Sequence, residues 1–202
     1  MNSFDFLDND RLKKQIEFLV EIDKMKNVFR RTVLIDKSRR ENDAEHSWHF
    51  AMLALILNEY CSEEIDVSRV IKIAICHDLV EIYAGDTFAY DAEGHKDKEE
   101  REKKAAEKLF SILPEDEGEE IKELWLEFEY KETPEARFAN VCDRFQPLVH
   151  NFMTDGHTWK EGDVHAPQVL ERMSVIKDSA PEIWNAVTKI VSESVKKGIL
   201  KP

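Results

Sequence analysis

The sequence has few of the residues that staple or sharply bend a chain. Its three cysteines, Cys61, Cys76 and Cys142, are odd in number, lie far apart and form no CxxC pair. That usage argues for reduced core residues rather than a disulfide framework. Glycine and proline number six each in 202 residues, and no repeat or low-complexity segment occurs. Positive charge is also scarce, with 29 Lys and Arg against 42 Asp and Glu and a formal net charge of -13. A polyanion would be repelled at long range, which argues against a partner such as a nucleic-acid polymer or an anionic membrane surface. No apolar run approaches membrane-spanning length, and the opening MNSFDFLDNDRLKK lacks the basic-then-apolar order of a signal peptide. The expected location is cytoplasmic.

What the chain does have is helical periodicity. Hydrophobic residues make up 42% and charged residues 35%, apolar positions recur at helical spacing, and no strand alternation stands out. The expected fold is all-α: a bundle of about six to eight helices in one domain, residues 1–202, with its core at about 12–152 and C-terminal helices at about 167–197. The first helix is expected at about Asn9 to Asn27. The second begins near Asn42 or Asp43, either able to cap it, and runs to about Tyr60. Asp66 caps a third over Val67 to Ala84, ended by Gly85. After a loop from Asp86 to Lys96 come the charged helix stopped by Pro114 and another over Asp116 to Tyr130. Thr133 and Pro134 start a helix that passes Asp143 and should kink at Pro147, which has no N–H for the Asp143 carbonyl. Residues 154–166 read as loop, followed by helices over about Pro167 to Lys177 and Pro181 to Lys197.

The third helix poses a chemical question. In ICHDLVEIYAGD it carries His77, Asp78 and Glu81 within an otherwise apolar body. At 100° per residue all three share one face, with Glu81 between the other two. Burying two carboxylates without partners would cost several kcal/mol, so donors or a cation must meet them. A buried His–Asp hydrogen bond with an exposed Glu81 is one solution, and a metal site is another. His46 is aligned with Phe50, Leu53 and Leu57 and should face the core, where a histidine is often simply hydrogen-bonded. Asp143 is aligned with Ala136 and Ala139, small residues that let another helix approach; by itself it could be a salt-bridge partner.

Taken together, His46 in AEHS, His77 and Asp78 in CHDLVE and Asp143 in FANVCDRF resemble the H…HD…D signature of the HD-domain metal-dependent phosphohydrolases. The segments MKNVFRRT, ENDAEHSWH, HDLVEIYAGD and LWLEFEYKETPEARFANVCDRF are similar to the branch that contains bacterial 5′-deoxynucleotidases and their eukaryotic relatives, over roughly Leu12 to Phe152. The resemblance implies that His46, His77, Asp78 and Asp143 hold one divalent ion, with Glu81 positioning or deprotonating the attacking water. Two imidazoles and two carboxylates suit Mn²⁺, Co²⁺, Fe²⁺, Zn²⁺ or Ni²⁺. The resemblance further implies that Arg31 orients substrate phosphate and that Asp86 and Thr87 contact the nucleoside sugar. Thr32 stands where the deoxynucleotidases have an aromatic residue, so deoxyribose selectivity is left open. Glu127, Glu129 and His49 are candidates for positions just outside the ligands. His95 alone lies between the HD pair and Asp143, which favours one metal over two.

The implied activity is a 5′-nucleotidase that releases phosphate from nucleoside or deoxynucleoside 5′-monophosphates, working as a homodimer. Phosphodiester or pyrophosphate cleavage of a larger nucleotide, such as an alarmone or triphosphate, is an enzymatic alternative. A metal-stabilised nucleotide sensor or scaffold is a non-enzymatic one. Cys76 and Cys142, each next to an implied ligand, are expected to be packing residues. Trp48, Trp125 and Trp184 are expected in the core or at a subunit interface.

Overall fold

The computed structural model describes residues 4–202. Helix α1, Asp10–Ile22, starts where Asn9 accepts a hydrogen bond from the Leu12 N–H at 3.0 Å, and it tightens into a 3-10 turn at Asp23–Asn27. Between that turn and the second helix lies an antiparallel hairpin that the periodicity did not reveal. Strand β1, Phe29–Val33, pairs with β2, Arg40–Asn42, with Phe29 opposite Asn42 and Val33 opposite Arg40. The register shifts between those pairs, so burial does not alternate cleanly along FRRTV, and Thr32 and Val33 are both buried. The all-α class holds, with this one short hairpin added to the helices. So short a strand, with two arginines in five residues and a bulge interrupting it, leaves no period-2 signal to read.

Helix α2, Asp43–Leu57, begins with a capping box in which Asn42 accepts from the Glu45 N–H at 2.9 Å and Glu45 accepts from the Asn42 N–H at 3.2 Å. Helix α3 ends sooner than its apolar pattern suggests, covering only Val67–Cys76. The His77 N–H still reaches Ile73 four residues back, but Leu79 bonds to Cys76 and Glu81 to Asp78, three back. A short helix α4, Glu81–Ala84, then ends at Gly85, whose φ of 77° and ψ of 147° suit glycine alone. This tightening changes the expected face. With three residues per turn, Glu81 stands over Asp78 rather than between Asp78 and His77.

Helices α5, Lys98–Phe110, and α6, Glu115–Tyr130, follow the expected loop. Helix α7, Pro134–Met153, starts where Thr133 accepts from the Ala136 N–H at 3.1 Å and continues through Pro147. Ala136 and Ala139 are fully buried, as their small size requires where α7 packs against α2, α3 and α6. The segment expected to be loop contains helix α8, His157–Glu161. Five residues are too few for periodicity. What fixes α8 is tertiary: the buried Asn151 side chain on α7 accepts from the Thr158 and Trp159 N–H groups at 3.1 and 3.2 Å. The next expected helix divides into α9, Ala166–Met173, and α10, Ile176–Ser179, before α11, Pro181–Lys196.

One cluster of buried side chains joins these helices, with Phe50 of α2, Ile73 of α3, Leu109 of α5, Phe138 of α7 and Ile176 of α10 all fully enclosed. Each such side chain contributes roughly 2–3 kcal/mol of burial free energy. That stabilisation is what allows the same helices to hold charged groups beside the core.

Candidate metal centre

The start of α2, the turn after α3 and the middle of α7 meet at one place. His46 Nε2 lies 3.1 Å from Asp143 Oδ1 and 3.9 Å from Asp78 Oδ2; His77 Nε2 lies 3.0 Å from Asp78 Oδ2 and 3.9 Å from Asp143 Oδ1. Both imidazoles are buried, their rings 5.3 Å apart between centroids. Separations near 3 Å are those of neighbouring donors on an ion with bonds of about 2.1 Å.

The ring protons decide what these contacts are. His77 Nδ1 donates to the Ala74 carbonyl at 2.9 Å, and His46 Nδ1 donates to the amide oxygen of Gln146 at 3.1 Å. Neither acceptor can give a proton back, so each neutral ring turns an Nε2 lone pair toward a carboxylate. His77 Nε2 is buried with no hydrogen bond of acceptable geometry despite its nearness to Asp78. Burial, then the Arg30 charge, lowers the pKa of His46 and keeps it neutral. Burial also opposes protonation of His77, but Asp78 outweighs it and raises that pKa. Each Nε2 facing a carboxylate oxygen needs a cation between them, either a proton, which the raised His77 pKa favours, or a metal ion that serves both rings at once. The donor set therefore fits a divalent metal.

The surrounding charges point the same way. Asp43, Asp78, Glu81, Asp86 and Asp143 converge on a single guanidinium, Arg30, whose Nη1 is 2.8 Å from Asp78, 3.5 Å from Asp43 and 3.9 Å from Asp86. Five carboxyl groups against one guanidinium leave an excess of negative charge. Burial raises the pKa of Asp78 and Asp143, but the imidazoles and Arg30 more than offset it and hold both well below the usual range. Glu81 moves the other way: burial, then Asp78 and Asp43, raises its pKa. Oxygens of Asp43, Asp78 and Glu81 lie within 4.8 Å of one another, and Glu81 Oε2 is buried without a partner.

Other residues singled out in the sequence fall in several places. Arg31 does not reach these carboxylates; it stacks on Phe88, 4.4 Å from the ring centre, in an adjoining cleft also lined by Thr32, Asp86 and Thr87. Glu129 and His95 line the cavity that contains His77, Asp78 and Glu81. Glu127 is turned elsewhere, paired with Arg69 at 2.5 Å and accepting from Thr133 at 2.5 Å. His49 lies behind His46, its Nδ1 3.3 Å from both Gln146 Nε2 and His150 Nε2. Cys76 and Cys142 are buried, and burial pushes the Cys76 thiol up to about 11, so both are packing residues. Trp125 is buried, whereas Trp48 is 66% exposed.

Sequence reasoning missed Arg30, Asp43 and Gln146. Asp43 looked like a capping residue, and only its complete burial reveals another task. Gln146, three residues beyond Asp143 on α7, could have been found from helical spacing, because it faces the same side of the helix. It also donates to Glu41 at 2.6 Å, which orients its amide oxygen toward His46. Burial raises the Glu41 carboxyl to about 7.

Comparison with known proteins agrees with this geometry. Residues 22–184 match the model of the HD domain. The 5′-deoxynucleotidase HDDC2 of Bos taurus is 27% identical over 179 residues, covering 88% of this chain and 84% of its own. The 5′-deoxynucleotidase hdd1 of Schizosaccharomyces pombe is 31% identical over 73% of this chain and 80% of its own. A crystal structure described as a predicted metal-dependent phosphohydrolase from Magnetospirillum magnetotacticum superposes with a TM-score of 0.92 at 46% identity, covering all of both chains. With the family model matching most of its length and the fold shared from end to end with that phosphohydrolase structure, the chain belongs to the HD-domain family.

Proposed function

We propose that this protein is a metal-dependent phosphohydrolase, a 5′-nucleotidase that releases phosphate from nucleoside or deoxynucleoside 5′-monophosphates. The observation that carries the reading is the pair of imidazole Nε2 atoms turned toward Asp143 and Asp78 at 3.1 and 3.0 Å, with both Nδ1 atoms held by carbonyl oxygens. In this reading His46, His77, Asp78 and Asp143 hold one ion, of Mn²⁺, Co²⁺, Fe²⁺, Zn²⁺ or Ni²⁺. When bound, such an ion supplies Lewis acidity to water and to a phosphoryl oxygen. The relatives named as 5′-deoxynucleotidases support the choice of substrate.

The chain's own residues supply the rest. Glu81 accepts the proton of the attacking water; burial and the Asp78 and Asp43 charges strengthen its affinity for that proton. Arg30 holds Asp78 in place and balances part of the negative charge that phosphate would otherwise meet. Arg31, Thr32, Asp86 and Thr87 border the cleft where nucleoside and phosphate oxygens would lie. In purified protein with Mn²⁺ or Co²⁺, phosphate release is expected from at least one nucleoside 5′-monophosphate, and Glu81→Ala should retain metal while kcat falls by about 10²–10⁴. Absence of phosphate release from every ribo- and deoxynucleotide tested would sink the reading.

We further propose one domain spanning residues 1–202, a cytoplasmic location and a homodimer. Free cysteines fit a reducing compartment, and no helix among the described residues is long and apolar enough to cross a membrane. The dimer draws support from α2, where Trp48, Met52, Leu55 and Ile56 form an exposed apolar stripe. Light scattering should give twice the chain mass, and Ile56→Glu should shift it to one.

A further inference from the structure

The acidic chain contains ten arginines. Seven of them, Arg11, Arg30, Arg39, Arg40, Arg69, Arg101 and Arg137, pair with a carboxylate. Among the described residues, the other three, Arg31, Arg144 and Arg172, have no carboxylate oxygen within 4.0 Å. These three come from β1, α7 and α9, far apart in sequence, yet all line one cleft. Arg144 Nη1 donates to the backbone carbonyl of Arg172 at 2.5 Å, which ties the two together. Like charges gathered around one cleft, in a protein with acidic side chains to spare, leave a deficit that an anion would fill.

The cleft is continuous with the metal centre. Asp86, Thr87, Asp143, Arg144 and Arg172 line both it and the cavity holding His77, Asp78 and Glu81. Phe88, Tyr90 and Trp159 add aromatic wall to the cleft, and the guanidinium of Arg31 lies over Phe88, 4.4 Å from the ring centre. A ligand with phosphate at the metal centre would thus extend its other end toward unpaired guanidinium groups. Planar forks of this kind bind phosphate through paired N–H donors.

We propose that Arg144 and Arg172, beside Arg31, form a second anion subsite, which receives a second phosphate group of a nucleotide whose 5′-phosphate lies at the metal centre. The inference rests on the nucleotidase reading for the position of the 5′-phosphate, and it narrows the substrate class to nucleotides phosphorylated at two places, as in a nucleoside bisphosphate. It also gives the C-terminal segment a task, because Arg172 and Trp159 belong to it.

Calorimetric titration of metal-loaded, full-length Glu81→Gln protein tests the subsite without turnover, using adenosine 5′-monophosphate and adenosine 3′,5′-bisphosphate as probes. The bisphosphate should bind at least about tenfold tighter, the scale of one charge-assisted contact. Arg172→Gln should bring the ratio of the two dissociation constants toward one, Arg172→Lys should restore part of it, and Arg144→Gln provides the same reading should Arg172→Gln fail to fold. Equal affinities in the parent protein would overturn the proposal. So would a variant that weakens both probes alike, because the arginines would then grip the shared 5′-phosphate, or one that changes neither. Failure of the nucleotidase reading appears separately, as absence of phosphate release by the wild-type chain.

Discussion

Chelating the bound ion should lower the melting temperature substantially. Without the ion, a proton on His77 and the Arg30 guanidinium are left to offset the carboxyl groups of Asp43, Asp78, Asp86 and Asp143. An ion that binds only the folded chain adds about 2.7 kcal/mol of stability at a hundredfold excess over its dissociation constant. For a chain of this size each kcal/mol moves the midpoint by about 2–4 °C, so the expected drop on chelation is roughly 5–11 °C. Differential scanning calorimetry on chelated protein, repeated after adding Mn²⁺, Co²⁺, Zn²⁺, Ni²⁺ or Fe²⁺, measures it directly. Asp143→Asn should weaken the ion at least about tenfold, equivalent to about 1.4 kcal/mol, and shrink the metal-dependent shift by about 3–6 °C. Identical midpoints with and without every metal, or an Asp143→Asn protein that responds as the wild type does, would refute the reasoning.

Glu81 should cost the chelated protein stability. Its folded pKa is raised above an unfolded value of about 4.3, so the penalty is absent below that value and grows as the pH climbs toward the folded pKa. Chelated Glu81→Gln should therefore melt higher than wild type at pH 7 and at the same temperature at pH 4; an undiminished gain at pH 4 would contradict this. Gln146→Leu removes the acceptor that fixes the His46 proton on Nδ1, and competition with a chromophoric chelator should show metal affinity reduced about 10–100-fold. Gly156, at φ 69°, leaves no room for a methyl group, since a Cβ there would lie 2.0 Å from the Ile199 carbonyl oxygen. Gly156→Ala should thus lose about 2 kcal/mol or more in urea unfolding.

Much of this protein could be read from its sequence because local signals are strong where helices start and stop. Asn42 with Glu45, Asp66, and Thr133 with Pro134 each satisfy the free N–H groups of a first turn, and the structure begins helices at all three. His77, Asp78 and Glu81 stood out because polar groups are costly in an apolar helix, and it was the resemblance to the HD signature that joined His46 and Asp143 to them. The hairpin was not legible, since a bulged strand rich in arginine has neither periodicity nor apolar content. Nor was α8, whose first turn is held by Asn151 from another helix.

Residue identity at particular positions determined the helices and the kinds of groups that meet at the centre. Tertiary structure alone decided how they meet. The hairpin turned Arg30 toward Asp78 and left Arg31 over Phe88, a distinction between adjacent residues that only strand register can make. The tightened turn after Cys76 moved Glu81 over Asp78, where a regular helix would have set it between Asp78 and His77. Arg31, Arg144 and Arg172 gather from three separate elements, and no sequence spacing records a convergence produced by the packing of α7 and α9.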